Sequence, residues 1–349
     1  MYSIRPYAPA DRDRLRELVT KDVWAHRPAE TFDRRWWWRE PEPPLLVAQD
    51  THDGELIGFC AFVPFTLYSK SKTTAAAWYV DFFVSSRHQR KGIGKALTRE
   101  VMGRFPLTAA LWATEGSWAV FQRLGWTDQR FVDIFLNPWP MLPIVGRGMM
   151  SRRRRSHPGV RLDVAPIGET LPRPHEIDAL WLRVRDGYEA LVVRDSATLT
   201  ARYRQRLGRQ YTIMRAYRDS QLAGYMIVRP LPRGSLRPLR RFPVGLVVDY
   251  LLDRDDPPLF GLMLDAASAR LIAQGSRCVV CLSTERPFHV PLKRRGFLSA
   301  GTPLVGRKLS RMRIAFTFFT SGEADRPPSD WMLTFADADS DLTWGSFLE

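Results

Sequence analysis

The chain has 349 residues, which suits two domains of ordinary size better than one. Its hydrophobic content of 45% and charged content of 26% are those of a soluble globular protein, and no apolar run reaches the roughly 18 residues of a membrane-spanning helix. The net charge of +15 favours anionic substrates, but no helix-turn-helix pattern and no basic motif interleaved with aromatic residues accompanies it, so we expect no nucleic-acid partner.

The N-terminus and the cysteines give two further expectations. The first residues carry Arg5 and no apolar stretch, so we expect no signal peptide, a cytoplasmic location and no stable membrane insertion. The chain has 3 cysteines, too few for a disulfide framework. Cys278 and Cys281 lie in a strand-like run and point to opposite faces of it, which suits neither a metal nor a redox pair. We expect buried core cysteines and no metal site.

The first half of the chain alternates strands and helices in a definite order, which apolar periodicity and turn residues predict. In chain order the predicted elements are a strand at Tyr2–Pro6, a helix from about Asp11 to Val23, a loop with Trp36, Trp37 and Trp38, strands at Leu45–Asp50 and Leu56–Tyr68 joined by the turn Thr51–Gly54, a strand at Trp78–Val84, a glycine-rich turn, a helix to about Phe105, a strand at Leu107–Glu115 and a short helix from Ser117 that ends at Gly125. Gly125 suits the C-cap of that last helix.

The glycine-rich turn is the most informative segment of the chain. It spans Gln89–Gly94 and reads QRKGIG. Two glycines let backbone amides turn toward one point, and the helix that begins there adds unpaired N–H groups and the positive end of its dipole. The turn therefore predicts a pyrophosphate site, to which Arg90 and Lys91 add positive charge.

The glycine spacing separates this turn from two other phosphate-binding motifs. A dinucleotide fingerprint needs G-x-G-x-x-G and a P-loop needs G-x-x-x-x-G-K-[ST], and neither occurs here. The turn resembles motif A of the GCN5-related N-acetyltransferases, the GNAT superfamily, with Gln89, Gly92 and Gly94 at the defining positions. The resemblance implies acetyl-CoA or another acyl-CoA as co-substrate, and the predicted element order matches a GNAT domain over its whole length.

The second half of the chain repeats the plan of the first. A strand VRLDVAPI, a hairpin around Asp219 and Ser220, a strand PVGLVVDYLL, a helix LFGLMLDAASARLIAQ and a strand RCVVCLS follow in the same order. Three landmarks recur at nearly constant separation along the chain. They are Gly58 with Gly224, Asp81 with Asp249, and Gly125 with Gly296. This pattern predicts a tandem duplication.

The two copies differ at the pyrophosphate turn. The second copy has the run Arg254–Pro258, RDDPP, at that place. Its carboxylates would repel a pyrophosphate, and its prolines have no amide to donate. We therefore expect one acyl-CoA site, in the N-terminal domain.

The predicted fold class is α/β, of the α+β kind, with two tandem GNAT-like domains, each a mixed, mostly antiparallel central sheet flanked by helices. The predicted boundaries are an N-terminal catalytic domain at 1–137, a Pro- and Arg-rich linker at 138–158 and a degenerate C-terminal domain with an acidic tail at 159–349. The apolar run in the linker suits packing across a domain interface or contact with a membrane surface.

The resemblance implies direct transfer, in which a neutral amine attacks the thioester without a covalent enzyme intermediate. It assigns the pantetheine arm to the backbone of Phe82, Phe83 and Val84. The residues implied to hold the rest of the acyl-CoA are Gln89, Arg90, Lys91, Gly92, Ile93, Gly94 and Lys95.

Asp81 and Tyr79 are the candidate catalytic residues. Relatives often carry an acid at the strand position of Asp81, which makes it the candidate general base; a structural aspartate, as the repeated Asp249 suggests, is the alternative. Many relatives have a tyrosine as general acid where this chain has Phe121, which cannot donate a proton. The acid is then water, Tyr79 or no group at all.

The acceptor is expected to be a small-molecule amine. Candidate substrate-binding residues are Trp36, Trp37, Trp38, Asp249, Asp337 and Asp339. Tryptophans stack on sugars and bases, and carboxylates bind amines or hydroxyls, whereas hydrophobic cover and a solvated acidic end are the structural alternatives. The tail around Trp331 and Thr334 resembles that of two-domain sugar N-acyltransferases of bacterial polysaccharide pathways, which favours an amino sugar, nucleotide-linked in particular. Aminoglycoside, polyamine or mycothiol-type acyl transfer and a non-catalytic acyl-CoA sensor stay open, as does the oligomeric state.

Overall fold

The structure is a computed structural model. It describes residues 1–20, 44–111, 113–128, 130–138, 159–204, 210–231, 242–299, 314–322, 327–328 and 330–338. Several sequence-based predictions lie outside these residues: the end of the first helix at Val23, the loop with Trp36, Trp37 and Trp38, the linker from 139 to 158, and Asp339.

The described residues contain the predicted strands and helices in order, together with two helices and a strand at 174–204 that were not predicted, and the strand predicted at Leu107–Glu115 ends at Leu111. The strands are β1 (Tyr2–Pro6), β2 (Leu45–Asp50), β3 (Leu56–Ser69), β4 (Lys72–Val84), β5 (Leu107–Leu111), β6 (Arg130–Val132), β7 (Ile134–Asn137), β8 (Val160–Pro166), β9 (Ala190–Val192), β10 (Thr212–Arg218), β11 (Gln221–Pro230), β12 (Val244–Leu252), β13 (Cys278–Leu282), β14 (Leu298–Ser299), β15 (Ile314–Thr320) and β16 (Trp331–Met332). The helices are α1 (Arg12–Leu18), α2 (Ile93–Arg104), α3 (Glu115–Gln122), α4 (Pro174–Val184), α5 (Ser196–Arg204), α6 (Pro257–Ala273) and α7 (Arg286–Arg294).

The first compact unit comprises Met1–Thr66, Thr74–Arg130 and Ala315–Arg326. Its sheet runs in the order β1-β2-β3-β4-β5-β15. The strands pair antiparallel except β4 and β5, which are parallel and connected through α2. An apolar core joins the sheet to α2 and α3. Its members are Leu46, Ala48, Ile57, Cys60, Phe62, Ala77, Tyr79, Ile93, Leu97, Val101, Ala110, Phe121 and Trp126.

The second compact unit comprises Leu67–Thr73, Phe131–Ile314 and Pro327–Glu349. Its main sheet runs β14-β7-β13-β12-β11-β10-β8, and β12 and β13 are its parallel pair. Asp219 and Ser220 have φ values of 49° and 65°, so the hairpin predicted there is confirmed, with two central residues in the left-handed region. Mixed sheets flanked by helices in both units confirm the predicted fold class.

The two units exchange strands along the sequence, which the predicted boundaries at 137 and 159 do not describe. β15 lies late in the chain, yet it pairs with β5 of the first unit, and β7 lies before the predicted boundary, yet it pairs with β13 of the second. Each exchanged strand covers the edge of a parallel strand whose backbone groups would otherwise need solvent as a partner. The exchange also places the hairpin tip Leu67–Thr73 in the second unit, where the end of β3 pairs with β9.

The cysteines are buried, and the described helices are not of the membrane-spanning kind. Cys60, Cys278 and Cys281 are fully buried, so the prediction of core cysteines is confirmed. No described helix is both long and apolar enough to cross a bilayer.

Candidate active site

The parallel strands β4 and β5 part before β4 ends. Their register runs from Ala76 opposite Leu107 to Tyr79 opposite Ala110, whereas β4 continues to Val84. We call the edge of β4 at 80–84 the strand gap. Among the described residues no strand pairs with this edge on the β5 side. Its backbone N–H and C=O groups are therefore placed to pair with an extended ligand.

The turn after β4 has the geometry of an anion cradle. Arg90 and Gly92 have φ values of 64° and 82°, so two left-handed residues flank Lys91. This alternation turns successive N–H groups toward one concave point. Ala96 N donates to Gly92 O at 3.0 Å as the first bond of α2, so the amides of Ile93, Gly94 and Lys95 precede the helical ladder. At the end of the turn predicted at Gln89–Lys95, the amides of Ile93–Lys95 are therefore outside the helical ladder and lie at the positive end of the helix dipole.

Two contacts attach the cradle to the strand gap. A Cβ on Gly94 would lie 2.9 Å from the ring of Phe82, so the first turn of α2 rests directly on that ring. Gln89 Nε2 donates to the carbonyl O of Val84 at 3.3 Å, which ties the turn to the end of β4. The phosphate-binding and pantetheine-binding segments expected from the sequence are thus neighbours.

The strand next to the gap approaches β4 so closely at Gly58 that this position requires a glycine. A Cβ on Gly58 would lie 2.9 Å from the carbonyl O of Phe83 on the adjacent strand. Real Cβ atoms do not approach a backbone oxygen this closely, so any side chain at this position would push β3 away from β4. Gly224, its repeat counterpart, faces the same restriction, since its Cβ would lie 2.7 Å from Leu252 Cβ.

The side chains of the cradle divide into exposed and buried groups. Arg90 and Lys91 are exposed and available to an anion, whereas Ile93 is buried in the core and contributes only its backbone. Tyr2 of β1 also reaches the cradle, because its hydroxyl lies 3.8 Å from the place that a Gly92 Cβ would take. Sequence reasoning missed Tyr2, since only the β1–β2 pairing brings this distant strand to the turn.

Asp81 lies at the mouth of the strand gap. It follows the last β4–β5 pair at Tyr79 by two residues, and it is 9% exposed. A carboxylate at the point where the strands part is placed beside the reacting end of a ligand that runs along β4. This geometry is compatible with a general base.

Tyr79 lies in the core rather than in the strand gap. Its ring packs edge-on against Phe121 at 5.4 Å and Trp126 at 6.1 Å, and its hydroxyl is buried beside Cys60 and Thr98. Burial raises the pKa of Tyr79 well above its usual value. A phenol in this position does not serve as a proton donor in the gap. Phe121, at the position where relatives carry a tyrosine, is buried and has no hydroxyl.

The predicted substrate-binding acids Asp249 and Asp337 are fully buried, which corrects that assignment. Arg194 Nε donates to Asp249 at 3.0 Å, and its terminal nitrogen donates to Asp337 at 2.8 Å. Arg202 also lies 3.9 Å from Asp249, so both carboxylates are ion-paired inside the second unit and closed to a substrate. The structural alternative for the repeated aspartate holds for Asp249. The three tryptophans and Asp339 lie outside the described residues.

No group of three or more histidine, cysteine or acidic side chains among the described residues is arranged to hold a metal ion. The cradle can act without one, because backbone amides, a helix dipole and two exposed cations supply the positive field.

The chain is similar to proteins of known family and structure. Residues 12–126 match the model of the acetyltransferase (GNAT) family. A GCN5-related N-acetyltransferase from Anabaena variabilis is 12% identical with a TM-score of 0.61, over 92% of this chain and 73% of that one. A tandem GNAT protein of the clavulanic acid pathway is 15% identical with a TM-score of 0.54, over 93% of this chain and 100% of that one.

A third solved structure is a glucosamine N-acetyltransferase region of a fungal β-N-acetylglucosaminidase. It is 14% identical with a TM-score of 0.57, over 91% of this chain and 38% of that one. The search of curated proteins gave no significant match. Residues 12–126 thus match the GNAT acetyltransferase family, and the chain as a whole has the fold of GNAT proteins, a tandem one among them.

Proposed function

We propose that this protein is an N-acyltransferase that moves an acetyl or other acyl group from acyl-CoA to the primary amine of an amino sugar. The observation that carries the proposal is the adjacency of the strand gap and the cradle. One offers an extended hydrogen-bonding edge at 80–84, and the other offers converging amides at Gly92–Lys95. Acyl-CoA has both matching parts, an extended pantetheine arm and a pyrophosphate.

The residues of the first unit suit direct attack of the amine. The strand gap holds the thioester in line, and the β4 amides polarise its carbonyl as charge develops on the oxygen. Asp81 takes the proton from the attacking amine. The thiolate leaves without a protein acid, because Tyr79 and Phe121 lie in the core and a thiolate is a tolerable leaving group.

Two observations support an anionic, sugar-like acceptor. The net charge of +15 favours an acceptor with phosphates, such as a nucleotide-linked amino sugar, over a polycationic aminoglycoside. A protein with the same fold carries a glucosamine N-acetyltransferase activity, so the scaffold is compatible with an amino sugar. The tail residue Asp337 is fully buried and does not contact the acceptor in this proposal.

The proposal is tested by thiol release. Purified protein is incubated with acetyl-CoA and a thiol reagent, alone and with panels of UDP- and dTDP-amino sugars, free glucosamine, aminoglycosides and polyamines. We expect acceptor-dependent release with one of the amino sugars. Release only with aminoglycosides or polyamines would replace the acceptor class. Saturable acetyl-CoA binding without release for any amine would favour the sensor instead.

A further inference from the structure

The second unit has a strand gap of its own. Its parallel pair runs from Val244 opposite Cys278 to Val247 opposite Cys281, whereas β12 continues to Leu252. The β11–β12 register shifts next to Val248, which leaves that residue out of the antiparallel ladder. The strands thus part at the same place as in the first unit, just before the aspartate of the repeat.

The C-terminal segment Trp331–Ala338, which we call the tail segment, contacts both sides of this second gap. Ala336 N donates to Val248 O at 2.9 Å. Thr284, which follows β13, donates its hydroxyl to Trp331 O at 2.6 Å and accepts from Leu333 N at 2.9 Å. The tail segment is buried along its length. It therefore supplies a backbone partner to Val248, the first residue of β12 beyond the parallel pair.

A buried ionic cluster fixes the tail segment in place. Arg194 bridges Asp249 of β12 and Asp337 of the tail segment, and Thr334 donates its hydroxyl to Asp249 at 2.9 Å. All four side chains are fully buried. Burial alone would lower the pKa of Arg194, but the two carboxylates raise it well above its usual value, so the guanidinium stays charged. A buried charge of this kind is stable only while its partners stay in place.

The start of α6, which corresponds to the cradle in the second unit, is occupied by a side chain of the chain itself. The Asp256 carboxylate accepts from Leu259 N at 3.0 Å and from the Arg218 side chain at 2.9 Å. Pro257 and Pro258 begin α6 without amide donors. The chain's own carboxylate thus takes the place that an anion would need.

We propose that the tail segment Trp331–Ala338 is a built-in occupant of the second unit's cofactor cleft, latched through Arg194, so that acyl-CoA binds only in the first unit. The inference rests on the proposed function in one respect, namely that the matching gap of the first unit binds acyl-CoA. The placement of the tail segment stands on its own contacts. In place of a cofactor, the second unit is completed by its own C-terminal segment.

Hydrogen exchange on the full chain tests this proposal. Asp337→Asn removes one of the two negative partners of Arg194, the one on the tail segment, and Thr334→Val is a milder variant that removes one hydroxyl. Asp255→Asn, at an exposed position of the same unit, is the matched control. We expect both tail variants to speed exchange at least about tenfold in 331–338 and in the last residues of β12, with little change in the β10–β11 hairpin. The control should leave exchange unchanged.

The outcomes separate this inference from the proposed function. Unchanged exchange in the tail and β12 of both variants would overturn the latch, whatever the acyl-CoA result. A calorimetric stoichiometry of two acetyl-CoA molecules per wild-type chain would overturn the occupied cleft while leaving the acyltransferase proposal intact. One molecule per chain, with affinity unaltered in Thr334→Val, is the result expected. No acetyl-CoA binding at all would remove the proposed function and leave the tail placement to the exchange data.

Discussion

At the scale of single residues, the aspartate that recurs in both halves of the chain lies in two different environments. Asp81 lies at the mouth of the first strand gap, and Asp249 is buried against Arg194. The sequence shows the repeat but not this difference, because Arg194 and Asp337 lie far from Asp249 along the chain. Only the fold brings these ionic partners together, so the assignment of Asp249 and Asp337 to a substrate was wrong.

Asp81→Asn tests the residue proposed as base. Removing a general base lowers turnover by roughly 10²- to 10⁴-fold, whereas acetyl-CoA affinity should stay within about twofold because the cradle is untouched. Steady-state rates and calorimetric titration measure the two effects. Asp128→Asn, an exposed change in the same unit, serves as the control. Full turnover in Asp81→Asn would exclude Asp81 as base.

Arg194→Met tests the ionic cluster through stability. The change leaves Asp337 buried without its cation and leaves Asp249 with only Arg202, 3.9 Å away, and breaking a buried pair from one side costs roughly 3 to 5 kcal/mol. Chemical denaturation of the full chain measures the loss of unfolding free energy. A loss below about 1 kcal/mol would show that the cluster contributes little.

At the scale of elements, the cradle was predictable because everything it needs is local. A strand, two glycines and a helix start follow one another within Trp78–Gly94, and the structure gives Gly92 the left-handed φ that its position requires. Tyr2 and the Gly94–Phe82 contact were not predictable, since both depend on how separate elements pack.

Gly92→Ala tests the cradle as an element. A side chain at a φ of 82° strains the backbone by about 1 to 2 kcal/mol, which should rotate the amides away from their common point. We expect acetyl-CoA binding to weaken about tenfold or more with the fold retained, as read by calorimetry and circular dichroism. Gly103→Ala in the same helix, where a Cβ meets open space, should bind normally. Equal affinity in both variants would contradict the cradle.

At the scale of the whole molecule, each sheet depends on a strand from the other half of the chain. The apolar run IAFTFFT of β15 is typical of a strand, but its sequence does not predict that it pairs with β5. Edge strands offer similar backbone groups, so register and partner come from packing. The fold class and element order were predictable, and the strand exchange was not.

The exchange predicts how fragments behave. A fragment of residues 1–137 lacks β15, so β5 keeps an open edge, and we expect aggregation or poor folding. The same fragment with 314–322 joined by a flexible linker should be more soluble and unfold cooperatively, as measured by sedimentation and thermal circular dichroism. Cooperative unfolding of the shorter fragment alone would contradict the requirement for β15.

A crystal structure of the full chain with acetyl-CoA tests the central claim most directly. It should place the pyrophosphate against the amides of Gly92, Ile93 and Gly94, and the pantetheine along Phe82–Val84 of β4, with the tail segment still seated beside Val248. A pyrophosphate at the start of α6, or anywhere away from the Gln89–Lys95 turn, would contradict it.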